Sequence, residues 1–415
     1  MKRWPLFAIV LVWLLAVSRL VVTDVWDETI GLSLHLRDQP YAVSEVFAQK
    51  IPVFSTRPFP LLLQNSVARL TADFHTALIL LRGLNAALLL ASLGFLLAIV
   101  RRGDGAKPWH EFVVALAVLF SASGFITAGW AANVFDASCL LFISAGLYFL
   151  LARKFSVAAG FLFSLSLFSK EIGLLAFPFV VLLAWQEKIT VRQLFATLAA
   201  AAPLLIAYIF FRLRITPPGS AKDVHGFALS ALAPSLAGWF ESFWRQNLMR
   251  DHGGTTGWLW LAASLIFLRD RKAQIGAIGL LLFSGLMYWG MTDGYQHGLV
   301  MSPANFIPRL YLVPAALFVL LFALQKRFVL LAVLLFAILP GGIATYRNHL
   351  RFQKAYLEVQ RMAEHRGAKR QFAAYDSAIS LPLYDAHRDI YYGKLKNSDV
   401  VIVPENGTVD RIKNQ

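Results

Sequence analysis

The stretch Thr23-Asp24-Val25-Trp26-Asp27-Glu28 places three carboxylates within five residues. In a helix, positions 24, 27 and 28 have i, i+3, i+4 spacing and share one face. Crowded carboxylates raise one another's pKa, more so beside a low-dielectric medium, which suits a general base that takes a proton from a hydroxyl. Asp24 and Asp27 also offer the hard oxygen ligands a divalent cation takes, without requiring one. The competing reading is structural. Thr23 or Asp24 would be a helix N-cap, and the helix dipole would favour the acids in the first turn.

A second group is mainly cationic. Ser169-Lys170-Glu171 interrupts an otherwise apolar region. Charges so close to hydrocarbon are functional candidates by default, although a mutually neutralised Lys170–Glu171 pair ending two helices would also explain them. Arg57 lies in the rigid segment Phe54-Ser55-Thr56-Arg57-Pro58-Phe59-Pro60, and Arg309 opens an apolar run in Pro308-Arg309-Leu310-Tyr311. An arginine there either snorkels or grips a phosphate with its fork of donors. Arg82, Arg212 and Arg214 supply further cations. Asp136 and His225 can contact a substrate; the alternatives are a helix cap for Asp136 and a plain polar loop residue for His225. Together, these groups suit a nucleophile that must lose a proton and a phosphate that must leave, its charge held by Lys or Arg. No glycine-rich phosphate loop, HExxH, GxSxG or CxxC pattern is present. The single cysteine, Cys139, excludes an intrachain disulfide.

The elements that position these residues follow from composition. Of 415 residues, 58% are hydrophobic and 15% charged, and the mean hydropathy is +0.59. An average soluble domain is roughly 45–50% apolar and about 25% charged. The chain carries 39 Lys+Arg against 24 Asp+Glu, a net +15, but the cations punctuate apolar runs and form no basic stripe. A soluble enzyme, a disordered tail protein and a nucleic-acid module are excluded, and no nucleic-acid partner is expected. The composition indicates an all-α polytopic membrane protein.

A spanning helix needs about 20 mainly apolar residues. Candidates fall at 5–22, 77–100, 111–130, 137–152, 155–169, 171–186, 193–212, 255–268, 274–291, 309–325 and 328–346, about eleven in all. The pair 155–169 and 171–186 is short enough to be tilted or partly re-entrant. Arg19 and the lack of a small-x-small site before Asp24 favour an uncleaved first span over a signal peptide. Lys2/Arg3, Arg101/Arg102/Lys107, Arg153/Lys154, Lys188/Arg192, Arg269/Arg271/Lys272 and Lys326/Arg327 recur at every second junction. The positive-inside rule then puts the N-terminus inside and the C-terminus outside. Residues 1–346 form the transmembrane unit, whose first outer loop, 23–74, is expected to carry an interfacial helix. Residues 347–415 are expected to form a small outer α/β appendage: a helix over 347–366, strands over 371–375 and 399–403, and a turn at Asn406-Gly407.

The chain resembles the GT-C class of integral membrane glycosyltransferases, nearest the protein O-mannosyltransferase and aminoarabinose transferase branch. Asp27-Glu28 after the first span is similar to the acidic pair that opens the first outer loop in that class. Phe168-Ser169-Lys170-Glu171 with Pro178 resembles its "LLSKE…P" stretch. Pro308-Arg309-Leu310-Tyr311-Leu312-Val313-Pro314 resembles its "RYLLP" span start, with Leu310 separating the usual Arg-Tyr pair. The outer appendage after the helical bundle also matches.

The resemblance implies an inverting transfer of a sugar from a polyprenyl-phosphate donor to an acceptor hydroxyl on a lipid, glycan or protein. It implies a bacterial inner membrane location with the site on the periplasmic face and membrane lipids as surroundings. No cofactor is obligatory, and a divalent metal is permitted. Asp27, with Glu28 or Asp24 assisting, would be the base. Lys170, Arg309 and Arg57, with Glu171 and Tyr311 beside them, would form the donor-phosphate site, and Asp136, His225 and Arg212 would contact substrate. The rival reading is a polytopic transporter or flippase of a lipid-linked or anionic substrate, which predicts polar groups at mid-membrane depth in broken helices.

Overall fold

In hydrocarbon, backbone N–H and C=O groups have no water to bond, so apolar runs of this length default to helix, which pairs them internally. The computed structural model describes residues 4–20, 57–71, 74–102, 108–129, 133–215, 271–289 and 312–325, with short pieces at 232–233, 236, 239, 339, 341–343, 345–347, 350, 401–402 and 410–411. The described helices are α1 (Trp4–Leu20), α2 (Pro58–Leu70), α3 (Phe74–Arg102), α4 (Pro108–Leu119), α5 (Ala122–Gly129), α6 (Val134–Leu151) and α7 (Ser156–Leu167). A short 3-10 helix (Glu171–Leu175) follows, then α8 (Ala176–Trp185), α9 (Val191–Ile215), α10 (Arg271–Trp289) and α11 (Leu312–Ala323).

Prolines mark several helix starts. Pro58, Pro108, Pro178 and Pro314 all fall in first turns, where the missing N–H removes no helical bond. Helix α9 opens with a capping box: Gln193 N donates to Thr190 Oγ1 (3.2 Å) and Thr190 N to Gln193 Oε1 (3.0 Å).

The centre of the bundle is the sequence of packed pairs α3/α6, α6/α7 and α7/α9. Small residues set the close approaches, as membrane packing requires. A Cβ on Gly146 would overlap the Phe163 ring, and one on Gly160 would overlap the Thr197 carbonyl. One turn after Gly160, the Ser164 hydroxyl donates to Ala201 O at 3.0 Å and Gly160 O at 3.1 Å. The α7/α9 contact is thus a small-residue face with a hydroxyl fastened across it.

The protein is a helical membrane protein. Ile79–Arg102, Val134–Leu151 and Val191–Phe211 are each long and apolar enough to cross a bilayer. The expected span over 111–130 is helical but bent. It breaks into α4 and α5, which meet at 58°. Ser121 makes the break: its Oγ accepts from Gly124 N (2.9 Å) as the N-cap of α5 and donates back to Val118 O (3.0 Å). Described helix overlaps each of the expected spans at 5–22, 77–100, 137–152, 155–169, 171–186, 193–212, 274–291 and 309–325. Residues 255–268 and most of 328–346 lie outside the described residues.

One end of the bundle collects the short-loop cations. Arg101 pairs with Glu111 at 2.6 Å, Lys272 pairs with Glu187 at 2.5 Å, and Arg102 donates to the Ala152 carbonyl. The Arg102 and Arg153 guanidinium groups both lie over the Tyr148 ring, 5.7 and 5.6 Å from its centroid. In the C-terminal region, β1 (Val401–Ile402) pairs antiparallel with β2 (Asp410–Arg411), with Ile402 opposite Asp410. Residues 351–400, including the expected strand at 371–375, lie outside the described residues.

Candidate functional site

The opposite end of the bundle holds a compact charged group built on three elements. The chain leaves α7 through a turn in which Ser169 N and Lys170 N both donate to Ser166 O, at 3.1 and 3.0 Å. Lys170 then runs extended (φ −163°, ψ 146°) before the 3-10 helix starts at Glu171. Extended backbone sends consecutive side chains to opposite sides. Lys170 Nζ turns into the bundle and meets Asp136 Oδ1, in the first turn of α6, at 2.6 Å. Glu171 turns the other way and meets Arg57, the residue preceding α2.

The Arg57–Glu171 pair is forked. Nη2 lies 3.0 Å and Nε 3.2 Å from Oε2, with Nε 3.4 Å from Oε1. The guanidinium also lies over the Phe135 ring, 5.5 Å from its centroid, a favourable cation–π placement. Two consecutive residues of α6 thereby meet two consecutive residues of the turn, Asp136 directly at Lys170 and Phe135 through Arg57 at Glu171. The α2 start is held by Phe59 N donating to Phe168 O at 3.4 Å, and by the Phe59 ring meeting Phe142 edge-on at 4.8 Å.

Burial separates the two pairs. The Lys170 and Asp136 side chains are 9% and 3% exposed, whereas those of Arg57 and Glu171 are 25% and 26% exposed. In an inner pair this dry, each charge offsets the cost of burying the other. The outer pair keeps a face toward the surroundings and is correspondingly weaker.

Other buried polar groups stand nearby. Leu84 and Leu88 of α3 pack against Leu61, Val134 and Phe135, so Arg82 and Asn85, on the same stretch of α3 and both fully buried, lie at the level of the α6 start. Asn133 Nδ2 donates to Ile126 O at 2.9 Å and ties α5 to that start. On α2, Gln64 and Asn65 are buried, and the Gln64 amide and the Ser169 hydroxyl have no hydrogen-bond partner among the described residues.

Of the expected site residues, the structure brings Arg57, Asp136, Lys170 and Glu171 into one group. The alternative of a self-neutralised Lys170–Glu171 pair is replaced by two cross-pairs, because the extended backbone points the two side chains apart. Asp24, Asp27, Glu28, His225, Arg309 and Tyr311 lie outside the described residues, and Arg212 is described only as part of α9. Among the described residues, no three His, Cys, Asp or Glu side chains form a metal-sized group. Phe135, Gln64 and Asn85 have weak sequence signals; the clearest is the polar pair Gln64-Asn65 inside an apolar helix. No family model, curated protein or solved structure matches the chain.

Proposed function

We propose that this protein is a membrane glycosyltransferase of the GT-C type. It would move a sugar from a polyprenyl-phosphate donor to an acceptor hydroxyl at the outer face of the membrane, with inversion. The observation that carries this reading is the forked Arg57–Glu171 pair over Phe135, backed by the buried Lys170–Asp136 pair, at the end of an apolar bundle opposite its cation belt. Ionisable groups placed so close to hydrocarbon are costly without a use, and a guanidinium fork there suits a lipid-linked phosphate. By the positive-inside rule, the cation belt is cytoplasmic and the charged site is periplasmic.

In this scheme Asp27, with Asp24 or Glu28 assisting, accepts the proton of the acceptor hydroxyl. The acceptor oxygen attacks the anomeric carbon in line, the carbon–oxygen bond to phosphate breaks, and polyprenyl phosphate departs with the electron pair. Arg57 and Arg309 hold the departing charge, and Lys170, paired with Asp136, fixes the turn beside them. The phosphate needs no protonation to leave, so one base suffices, unlike double-displacement chemistry, which needs a second carboxylate as nucleophile. The test is incubation of the purified protein with a panel of polyprenyl-phosphate sugars and an acceptor-containing envelope extract, reading release of free lipid phosphate. Release is expected with one donor, and Asp27→Asn should abolish it while expression and folding are retained. Near-normal turnover by that variant sinks the base assignment.

A transporter or flippase of an anionic or lipid-linked substrate is the second reading. It is favoured by the 58° break between α4 and α5 and by the fully buried Arg82, since broken helices and intramembrane charge are common at transport sites. Substrate-dependent uptake into proteoliposomes, with no lipid phosphate released from any donor, would decide for it.

A further inference from the structure

We propose that Glu171 is a built-in anionic competitor for Arg57, and that a phosphate group enters the site by exchanging with the Glu171 carboxylate on the guanidinium. The inference rests on the reading of this end of the bundle as a phosphate site, and it adds how that site is held when no ligand is present.

Three features of the geometry support the exchange. First, a carboxylate and a phosphate present the same motif to a guanidinium, two acceptor oxygens matching two N–H groups. Glu171 engages Nε and Nη2 in that way, at 3.0 to 3.4 Å. Second, the two ion pairs differ in how readily they can open. Arg57 and Glu171 are about one-quarter exposed, so water can solvate the carboxylate as it leaves; Lys170 and Asp136 are not. Opening the outer pair therefore loses little, while opening the inner one would strand a charge in a dry interior. Third, Arg57 remains anchored when Glu171 departs. Its guanidinium rests on Phe135, and its backbone (φ −128°, ψ 64°) precedes Pro58, whose ring restricts the residue before it.

The inner pair gives the exchange its direction. With Lys170 held by Asp136 at 2.6 Å, Lys170 stays in place when the outer pair opens, and the turn that carries Glu171 keeps its position. The ligand gains a preset guanidinium, and the displaced carboxylate is left hydrated at the site's rim. Without ligand, Glu171 neutralises Arg57 and lowers the site's attraction for other anions.

Competition makes a signed prediction that a purely structural salt bridge does not share. In Glu171→Gln the competitor is gone, so a phosphate probe should bind tighter, by roughly 5-fold for a pair of this exposure. A structural bridge would instead leave affinity unchanged or lower it as the site loosens. The experiment is isothermal titration of the full-length protein in nanodiscs with citronellyl phosphate, inorganic phosphate and the neutral alcohol citronellol. It compares wild type, Glu171→Gln and Arg57→Gln, with thermal unfolding of each variant to confirm folding. Tighter binding in Glu171→Gln and loss in Arg57→Gln for citronellyl phosphate alone support the exchange with a lipid headgroup as the ligand. The same pattern with inorganic phosphate supports it with free phosphate as the ligand. A folded Glu171→Gln protein that binds both phosphates no tighter than wild type overturns the exchange, as does equal tightening for citronellol. Binding is read without turnover, so failure of the exchange and failure of the transferase reading are separately visible.

Discussion

Lys170 reaches past its neighbour Glu171 to Asp136, 34 positions earlier in the chain, and holds it at 2.6 Å inside the bundle. The contact binds the tip of the α7 hairpin to the first turn of α6. It also neutralises two charges whose side chains are each less than one-tenth exposed.

Removing one partner should be far worse than removing both. Lys170→Met leaves Asp136 buried and uncompensated, and a loss of about 3–5 kcal/mol is expected. Combining it with Asp136→Leu should recover most of that loss. Denaturant unfolding in detergent micelles measures both; equal destabilisation of the single and double variants would contradict the pairing.

Helix contact at α7/α9 should respond to a single methyl group. Gly160→Ala puts a Cβ against the Thr197 carbonyl, and Gly83→Ala puts one where nothing lies within 4 Å. Overpacking costs about 1–3 kcal/mol, whereas Ala in an open helical position gains up to about 1 kcal/mol over Gly. The two substitutions should therefore shift the thermal midpoint in opposite directions.

Lys154 follows the end of α6 with φ 57°, a left-handed backbone that costs an ordinary L-residue about 1–2 kcal/mol. Lys154→Gly should raise stability by about 1 kcal/mol once the greater freedom of glycine in the unfolded chain is set against that relief. Its thermal midpoint, compared with that of the wild type, reads it.

A pH effect is expected at the cation end. The hydrogen bond from Lys272, with its charge, holds the Glu187 carboxyl below its ordinary value of 4.5. A carboxylate with a depressed folded-state pKa adds stability at pH above the unfolded value, and that stability is lost as pH falls through the folded value. Glu187→Gln should therefore lower the thermal midpoint slightly at neutral pH, and the two midpoints should converge in acid below both values. Glu187 is fully exposed, so the gap should also close in high salt.

The helices are legible in the sequence because their apolar runs are long and polar punctuation marks their ends. Thr190 with Gln193, and the prolines of the first turns, can be read from residue type and spacing alone. The break at Ser121 is less visible. Phe120-Ser121-Ala122-Ser123-Gly124 lies within one unbroken apolar run, and only the side-chain cap on Gly124 N divides it. At the site, residue types are legible and partners are not. Lys170 and Glu171 are adjacent and opposite in charge, so one-dimensional reading pairs them. The extended backbone at Lys170 separates them, and their actual partners are 34 and 114 positions away. Phe135 is one of 33 phenylalanines, and nothing local distinguishes the one beneath Arg57.

The alternation at Lys170-Glu171 makes order, as opposed to inventory, the informative quantity at this end of the protein. Exchanging the two residues, Lys170→Glu with Glu171→Lys, changes neither composition nor net charge nor hydropathy. It nevertheless sets Glu against Asp136 inside the bundle and Lys against Arg57 at the rim, turning two attractions into two repulsions. A shift of one position by insertion or deletion would also misplace both charges. The turn therefore works as a two-sided key, whose fit depends on which charge comes first.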